Sequence, residues 1–189
     1  MSHELCRCPW LDTSKADYVA YHDDEWGQAV HDDHVLFEFI VLESAQAGLS
    51  WYTILKKREH YRRAFDGFDP ALIAEYSAAK IDALVQDAGI VRHRLKIEAT
   101  VRNAQCFLAI QKEFGSFDAY VWGFVNHQTI DNAFDKLSDY PTRTAQSEAL
   151  AKDLKKRGFK FMGATTCYAY MQAVGMVNDH VASCFKRKR

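Results

Sequence analysis

Proline and glycine are scarce, at 3 and 9 residues in 189, so long irregular loops and a disordered tract are not expected. No uninterrupted apolar run reaches the roughly 20 residues that a membrane-spanning helix requires, which excludes a membrane partner by that route. Alternation of apolar and polar residues over strand length is also missing, and this argues against a sheet-based fold. Neither sign of charge dominates, with 24 Lys and Arg against 25 Asp and Glu. A constitutively basic protein is thereby excluded, and any contact with nucleic acid must come from a local patch. Five cysteines cannot all pair. The Met-Ser-His-Glu start has neither the charged segment nor the apolar run of a secretory signal. Together these point to a reducing, cytoplasmic compartment, where Cys and His favour metal over disulfide.

What is present is apolar and helical. The chain is 48% hydrophobic and 13% aromatic, enough for a substantial core. Helical period runs through nearly every segment, so the predicted class is all-α. One domain over residues 1–185 is expected, or two small lobes packed together, with 186–189 as a frayed basic tail. Residues 35–47 are apolar on almost every side and read as a buried helix. Ser50 can cap a helix running to Phe65. Asp69-Pro70 is a start signal, and Ser77 precedes a helix over 78–88 that ends at Gly89. Further helices are predicted over 93–114, 117–125, 145–157 and 164–176.

Four candidate metal ligands sit at the two chain ends. Cys8 and His22 lie near the start, and His180 and Cys184 near the finish. An i, i+4 pair on a helix can reach one ion, so His180-Val-Ala-Ser-Cys184 is read as helical. Two Cys and two His make a closed tetrahedral zinc site without an open position for catalysis. Cys6 competes with Cys8 for this role. Cys106 and Cys167 lie in apolar stretches and read as core.

Chemistry must then come from the middle of the chain. Glu43 ends an apolar stretch, Ile-Val-Leu-Glu-Ser-Ala, although carboxylates are rarely buried alone and are disfavoured near a helix C-terminus. Glu38, five residues earlier, is read as solvated. Trp51 follows a turn that Gly48 permits, and a carboxylate beside an aromatic face can recognise a planar group with N–H donors. Tyr21, His22 and Trp26 add aromatic surface near the ligand pairs. The turn around Gly89, followed by Arg92, His93, Arg94 and Lys96, suits backbone contact with a nucleic-acid strand. A second basic group, Lys155, Lys156, Arg157 and Lys160, surrounds Gly158.

Five ordered motifs carry a resemblance over essentially the full length. They are Tyr21-His-Asp-Asp-Glu-Trp-Gly27, Gln46-Ala-Gly-Leu-Ser-Trp51, Gln86-Asp-Ala-Gly-Ile-Val-Arg-His-Arg94, Lys155-Lys-Arg-Gly-Phe-Lys-Phe161 and Val177-Asn-Asp-His-Val-Ala-Ser-Cys184. In these the chain resembles the bacterial 3-methyladenine DNA glycosylase I family. The resemblance implies a helix-hairpin-helix glycosylase fold, with one structural zinc on Cys8, His22, His180 and Cys184 joining the termini. It implies a base pocket made by Glu43, Trp51 and Tyr21, with Trp10 and Trp26 as further walls and Glu43 as the residue acting on the base. Gly89, Arg92 and Arg94 would hold the DNA backbone. The implied activity is extrusion and hydrolytic release of 3-methyladenine from alkylated double-stranded DNA by a bacterial, cytoplasmic monomer. Strand cleavage is not expected, because no lysine matches the Schiff-base lysine of bifunctional relatives. Many relatives of this fold carry an aspartate after the hairpin; Asp118 is the nearest candidate but lacks the usual surroundings. Two alternatives are a non-catalytic zinc-stapled DNA-binding module and a small-molecule metal hydrolase.

Overall fold

The computed structural model describes residues 5–132 and 134–187. Ten α-helices are found among these residues: α1 Ala16–Asp24, α2 Asp33–Gln46, α3 Trp51–Leu55, α4 Arg58–Ala64, α5 Pro70–Ala74, α6 Ala78–Gln86, α7 Arg94–Phe114, α8 Phe117–Val121, α9 Ala145–Arg157 and α10 Ala164–Ala173. The predicted helical class is observed, with one addition. Ile130–Asp131 (β1) and Val177–Asn178 (β2) form a two-residue parallel pair, too short to show alternation in the sequence.

Start signals act as the residue types dictate. Asp32 accepts from the amides of His34 and Val35, Asp69 from those of Ala71 and Leu72, and Ser50 and Ser77 from those of Thr53 and Lys80. Helix ends are less regular. The segment after Ser50 is not one helix to Phe65 but two, broken between Leu55 and Arg58. The helix after Ser77 stops at Gln86, and Trp122–Val125 tightens into a 3-10 turn. Helix α1 escaped prediction because it has no side-chain N-cap and buries only Tyr21 and His22.

Helix α2 is the centre of the molecule. Every residue from Leu36 to Ala45 is buried, including Glu38 and Glu43. Helix α7 packs across α5, α2 and α6, and α10 packs on α9 and α2. Gly175, at φ +70°, joins the end of α10 to the residues after α1. A Cβ there would stand 2.3 Å from the Gln28 carbonyl carbon, so no other residue fits. Arg187 donates to the carbonyls of Asn132 and His180 and pairs with Asp131, so the chain is tied two residues into the tail expected to fray. Lys188 and Arg189 lie outside the described residues.

Glu38 corrects the expectation of a solvated carboxylate. It is 2% exposed, and its Oε1 accepts from Arg58 Nε at 2.6 Å and Arg62 Nη2 at 2.9 Å. Arg58 also donates to Glu25 Oε2 at 2.7 Å, tying α4 to the end of α1. Sequence periodicity could not reveal partners that come from another helix. Glu38→Gln keeps the shape but removes the charge, so it should destabilise the fold by about 1–3 kcal/mol. A thermal melt several degrees below the parent is the expected reading; an unchanged melt would show that the pair contributes nothing.

Candidate functional site: an aromatic pocket beside a Cys2His2 cluster

A cavity of about 260 Å³ opens where α1, α2, α3 and α10 meet, and Trp10, Tyr21, Trp26, Glu43 and Trp51 all line it. Gly48, at φ +80°, turns the chain sharply after α2, and Ser50 then starts α3 so that Trp51 is its first residue. This brings Trp51 against Tyr21, with ring centroids 5.2 Å apart. Trp10 and Trp26 meet edge to face at 4.8 Å and form a further wall.

Glu43 is 3% exposed, and its Oε2 has no hydrogen-bond partner among the described residues. Burial pushes its carboxyl up to about 8. At neutral pH the group is therefore held mostly protonated until a positive charge or hydrogen-bond donors arrive. The indole N–H groups of Trp10 and Trp51 are likewise buried and without a partner among the described residues. Three unsatisfied polar atoms among aromatic rings describe a site built to hold a flat, polar-edged molecule. Tyr21 is fully enclosed, and burial together with Glu43 raises its hydroxyl well above the ordinary tyrosine range.

The sequence did not single out Tyr18, Gln46, Leu137, Tyr140, Ala169 and Gln172, which complete the lining. Gln46 lies within a quoted motif. Ala169 and Gln172 share one face of α10 at i, i+3 spacing. Leu137 and Tyr140 come from an aperiodic connection that carries no signal. Leu49 stands 41% exposed on the rim, in a second recess that also reaches Glu43. Asp118 does not line the cavity; it pairs with His31 at 2.7 Å.

Behind Trp10 and Trp26 lie Cys8, His22, His180 and Cys184, all buried, with ligand atoms within 4.8 Å of one another. His180 Nδ1 is 3.4 Å from Cys8 Sγ and 3.5 Å from Cys184 Sγ, and Cys184 Sγ is 3.6 Å from His22 Nε2. A tetrahedral ion with bonds of about 2.3 Å to sulfur and 2.0 Å to nitrogen separates unlike ligands by roughly 3.5 Å, so the geometry fits. His180 and Cys184 achieve this without a helix, contrary to the sequence reading: a turn closed by Cys184 N–H on the Val181 carbonyl brings them together. Cys6 is exposed and stands outside the cluster.

The outer contacts also suit a metal. His22 Nδ1 meets Asp23 Oδ1 at 2.7 Å, and Arg7 holds that carboxylate; His180 Nε2 donates to the Trp26 carbonyl at 3.1 Å. Each ring is thereby oriented with its other nitrogen toward the centre. Burial lowers His180 to about 4, which keeps it neutral, and raises the Cys8 thiol to about 12, with Cys184 adding to the rise. The Cys8 thiol, so raised, would gain its charged form with a cation beside it.

The hairpin between α6 and α7 is less open than expected. Gly89 N–H already donates to Asp87 Oδ1 at 2.7 Å rather than pointing outward. Arg94 pairs with Asp82 and Glu98, whereas exposed Arg92 has no ion-pair partner among the described residues. Lys96 turns inward and donates to the carbonyls of Ala45 and Ala47, fastening the hairpin helix to the end of α2.

Comparisons with known proteins agree on one family. The family profile described as methyladenine glycosylase matches residues 10–187. The DNA-3-methyladenine glycosylase of Haemophilus influenzae is 52% identical over 178 residues, covering 94% of this chain and 96% of that protein. A crystal structure of a 3-methyladenine DNA glycosylase I superposes with a TM-score of 0.94 at 49% identity, over 97% of this chain and 100% of the other. Another, of a tyrosine-to-phenylalanine variant in complex with 3-methyladenine, gives 0.91 at 40% identity, over 94% and 95% of the two chains.

Proposed function

The chain belongs to the methyladenine glycosylase family, and from that premise we propose that it excises 3-methyladenine from alkylated double-stranded DNA by hydrolysing the N-glycosidic bond. The observation that carries this reading is the buried, unpartnered carboxyl of Glu43 in a cavity walled by Trp51 and Tyr21. An extruded 3-methyladenine is cationic while attached to the sugar. Its charge favours ionisation of Glu43 in a low-dielectric pocket and is attracted to the indole face of Trp51. The carboxylate accepts from the exocyclic amine. It would repel the carbonyl oxygen that guanine presents at the same edge, which supplies selectivity. The base leaves neutral and needs no general acid. Binding the labile cation out of the stack is the main contribution, with water as nucleophile and no strand cleavage. Exposed Leu49 is suited to fill the space that the extruded nucleotide leaves in the duplex.

The Cys8, His22, His180 and Cys184 set holds one zinc ion in a structural role, behind the Trp10–Trp26 wall. A bacterial, cytoplasmic monomer accords with this reading, and no helix among the described residues is long and apolar enough to cross a membrane. Backbone phosphates approach the hairpin at Gly89, with Arg92 as the available cation. Arg92→Ala should therefore weaken binding to any duplex and lower the salt slope by about 1, whereas Arg94→Ala, already paired with Asp82 and Glu98, should do less. Anisotropy titrations over a salt series check the ranking, and the reverse order would contradict it. The pocket itself is tested with free 3-methyladenine. Saturable quenching of tryptophan fluorescence is expected, and is not expected with guanine. If the two bases behaved alike, the assignment would fail.

A further inference from the structure

The motif Lys155-Lys-Arg-Gly-Phe-Lys-Phe161 has no part in the pocket or the cluster, yet the fold presents it conspicuously. Phe161 lies in the left-handed region at φ +56° and is 37% exposed. A bulky side chain in that conformation is strained and normally needs a reason to stay. The loop is pinned from beneath by fully buried Asn103, which accepts from Lys160 N–H at 2.8 Å and donates to Lys160 O at 3.0 Å. Phe161 is thus held out at a fixed place.

Two recesses meet at this ring. One is lined by Leu95, Arg102, Lys160 and Glu98, whose carboxylate is paired with Arg94, and the other by Lys152, Lys155 and Lys160. The four lining cations are exposed, and none of them forms an ion pair among the described residues. Arg94 on the hairpin, by contrast, is already paired. Available positive charge near the hairpin therefore includes these four cations as well as Arg92. The patch has neighbours on both sides. Toward the hairpin, His93 stands edge-on to Phe161 at 6.4 Å. Toward the pocket, the recess runs to Gly163 and Ala164, and the next residues, Thr165 and Thr166, line the rim recess shared with Leu49 and Glu43.

We propose that Lys152, Lys155, Lys160 and Phe161 form a second DNA contact, which holds the phosphodiester backbone of the duplex between the hairpin and the pocket mouth. The lysines neutralise phosphates, and the ring packs against a sugar or an unstacked base at the strained site. The proposal rests on the DNA glycosylase reading above.

The test compares the parent, Lys155→Gln/Lys160→Gln and Phe161→Gly. Lys112→Gln serves as control, at the far end of α7, roughly 27 Å from its start. Binding to an undamaged fluorescent duplex is measured over a salt series, together with free 3-methyladenine binding and thermal melting. The double variant should bind the duplex at least tenfold more weakly at low salt, with its salt slope lower by about 2. Phe161→Gly should weaken duplex binding yet melt no lower than the parent, because glycine relieves the backbone strain. All variants should keep parental affinity for the free base. Parental duplex affinity and slope in the double variant would overturn the proposal, as would an equal effect from Lys112→Gln. If the parent itself neither bound duplex nor captured the base, the glycosylase reading would fall instead, so the two failures are distinguishable.

Discussion

Glu43→Gln should release 3-methyladenine from methylated duplex about 10- to 100-fold more slowly than the parent, and bind the free base correspondingly more weakly. That range corresponds to about 1.4–2.8 kcal/mol, within the roughly 1–3 kcal/mol lost when a charged, buried hydrogen bond is disturbed. Non-specific duplex binding and the metal content should not change. The same substitution should alter stability in a way that only a buried, isolated carboxyl can. Burial raises Glu43 from 4.5 to about 8 in the folded chain. Between those values the folded state binds more protons than the unfolded one, so stability falls as pH rises through that window. The stability present below about pH 4.5 is lost by about pH 8, where the buried carboxylate costs up to a few kcal/mol. Glutamine stays neutral throughout. The variant should therefore melt above the parent at pH 8.5, with the gap closing toward pH 5. A less active but more stable enzyme at alkaline pH would mark Glu43 as a residue kept for binding rather than folding. Parallel melting profiles for the two proteins would show that the carboxyl is not isolated.

Removing the proposed metal should have the larger effect on the fold. Cys184→Ser deletes one of the four buried residues that could hold a metal ion, and with it part of the proposed link between Cys8 and His22 at one end of the chain and His180 at the other. Metal binding of this kind is coupled to folding, so the variant should purify with well under one zinc per chain and melt more than about 10 °C lower. The pocket should suffer as well. His180 Nε2 holds the Trp26 carbonyl, and Trp10 packs on the His22 ring at 5.3 Å. Loosening the cluster therefore loosens the Trp10–Trp26 wall, and free-base affinity should fall with it. Cys6→Ser should keep both the metal and the melting temperature. If Cys184→Ser retained a full equivalent of zinc, or the metal-free protein melted like the parent, the staple would have no structural role.

Helix positions were legible where the signal is local. Asp69-Pro70, Ser77 and Gly158 punctuate the chain through their own backbone and side-chain chemistry, and the structure follows them. Glu43 was legible because it breaks two local preferences at once. Glu38 breaks the same burial preference, but its compensation comes from Arg58 and Arg62 on another helix, and no periodicity of α2 reports that. His180 and Cys184 were paired correctly for an incorrect local reason. Their four-residue spacing suggested a helix, whereas a turn at the surface of the cluster does the work. In the sequence the Gly89 turn looks open to an anion, because nothing local says that Asp87 already takes its amide. Tyr140 and Leu137 were invisible, since a connection without period carries no information about what it folds over.

The most direct measurement is the identity of the bases released when the protein is incubated with duplex DNA bearing both methylated adenine and methylated guanine. A pocket whose carboxylate accepts from an exocyclic amine and repels a carbonyl should liberate 3-methyladenine in clear excess, and leave the sugar–phosphate strands uncut. Release of methylated guanine at a comparable rate, or release of no base at all, would contradict it.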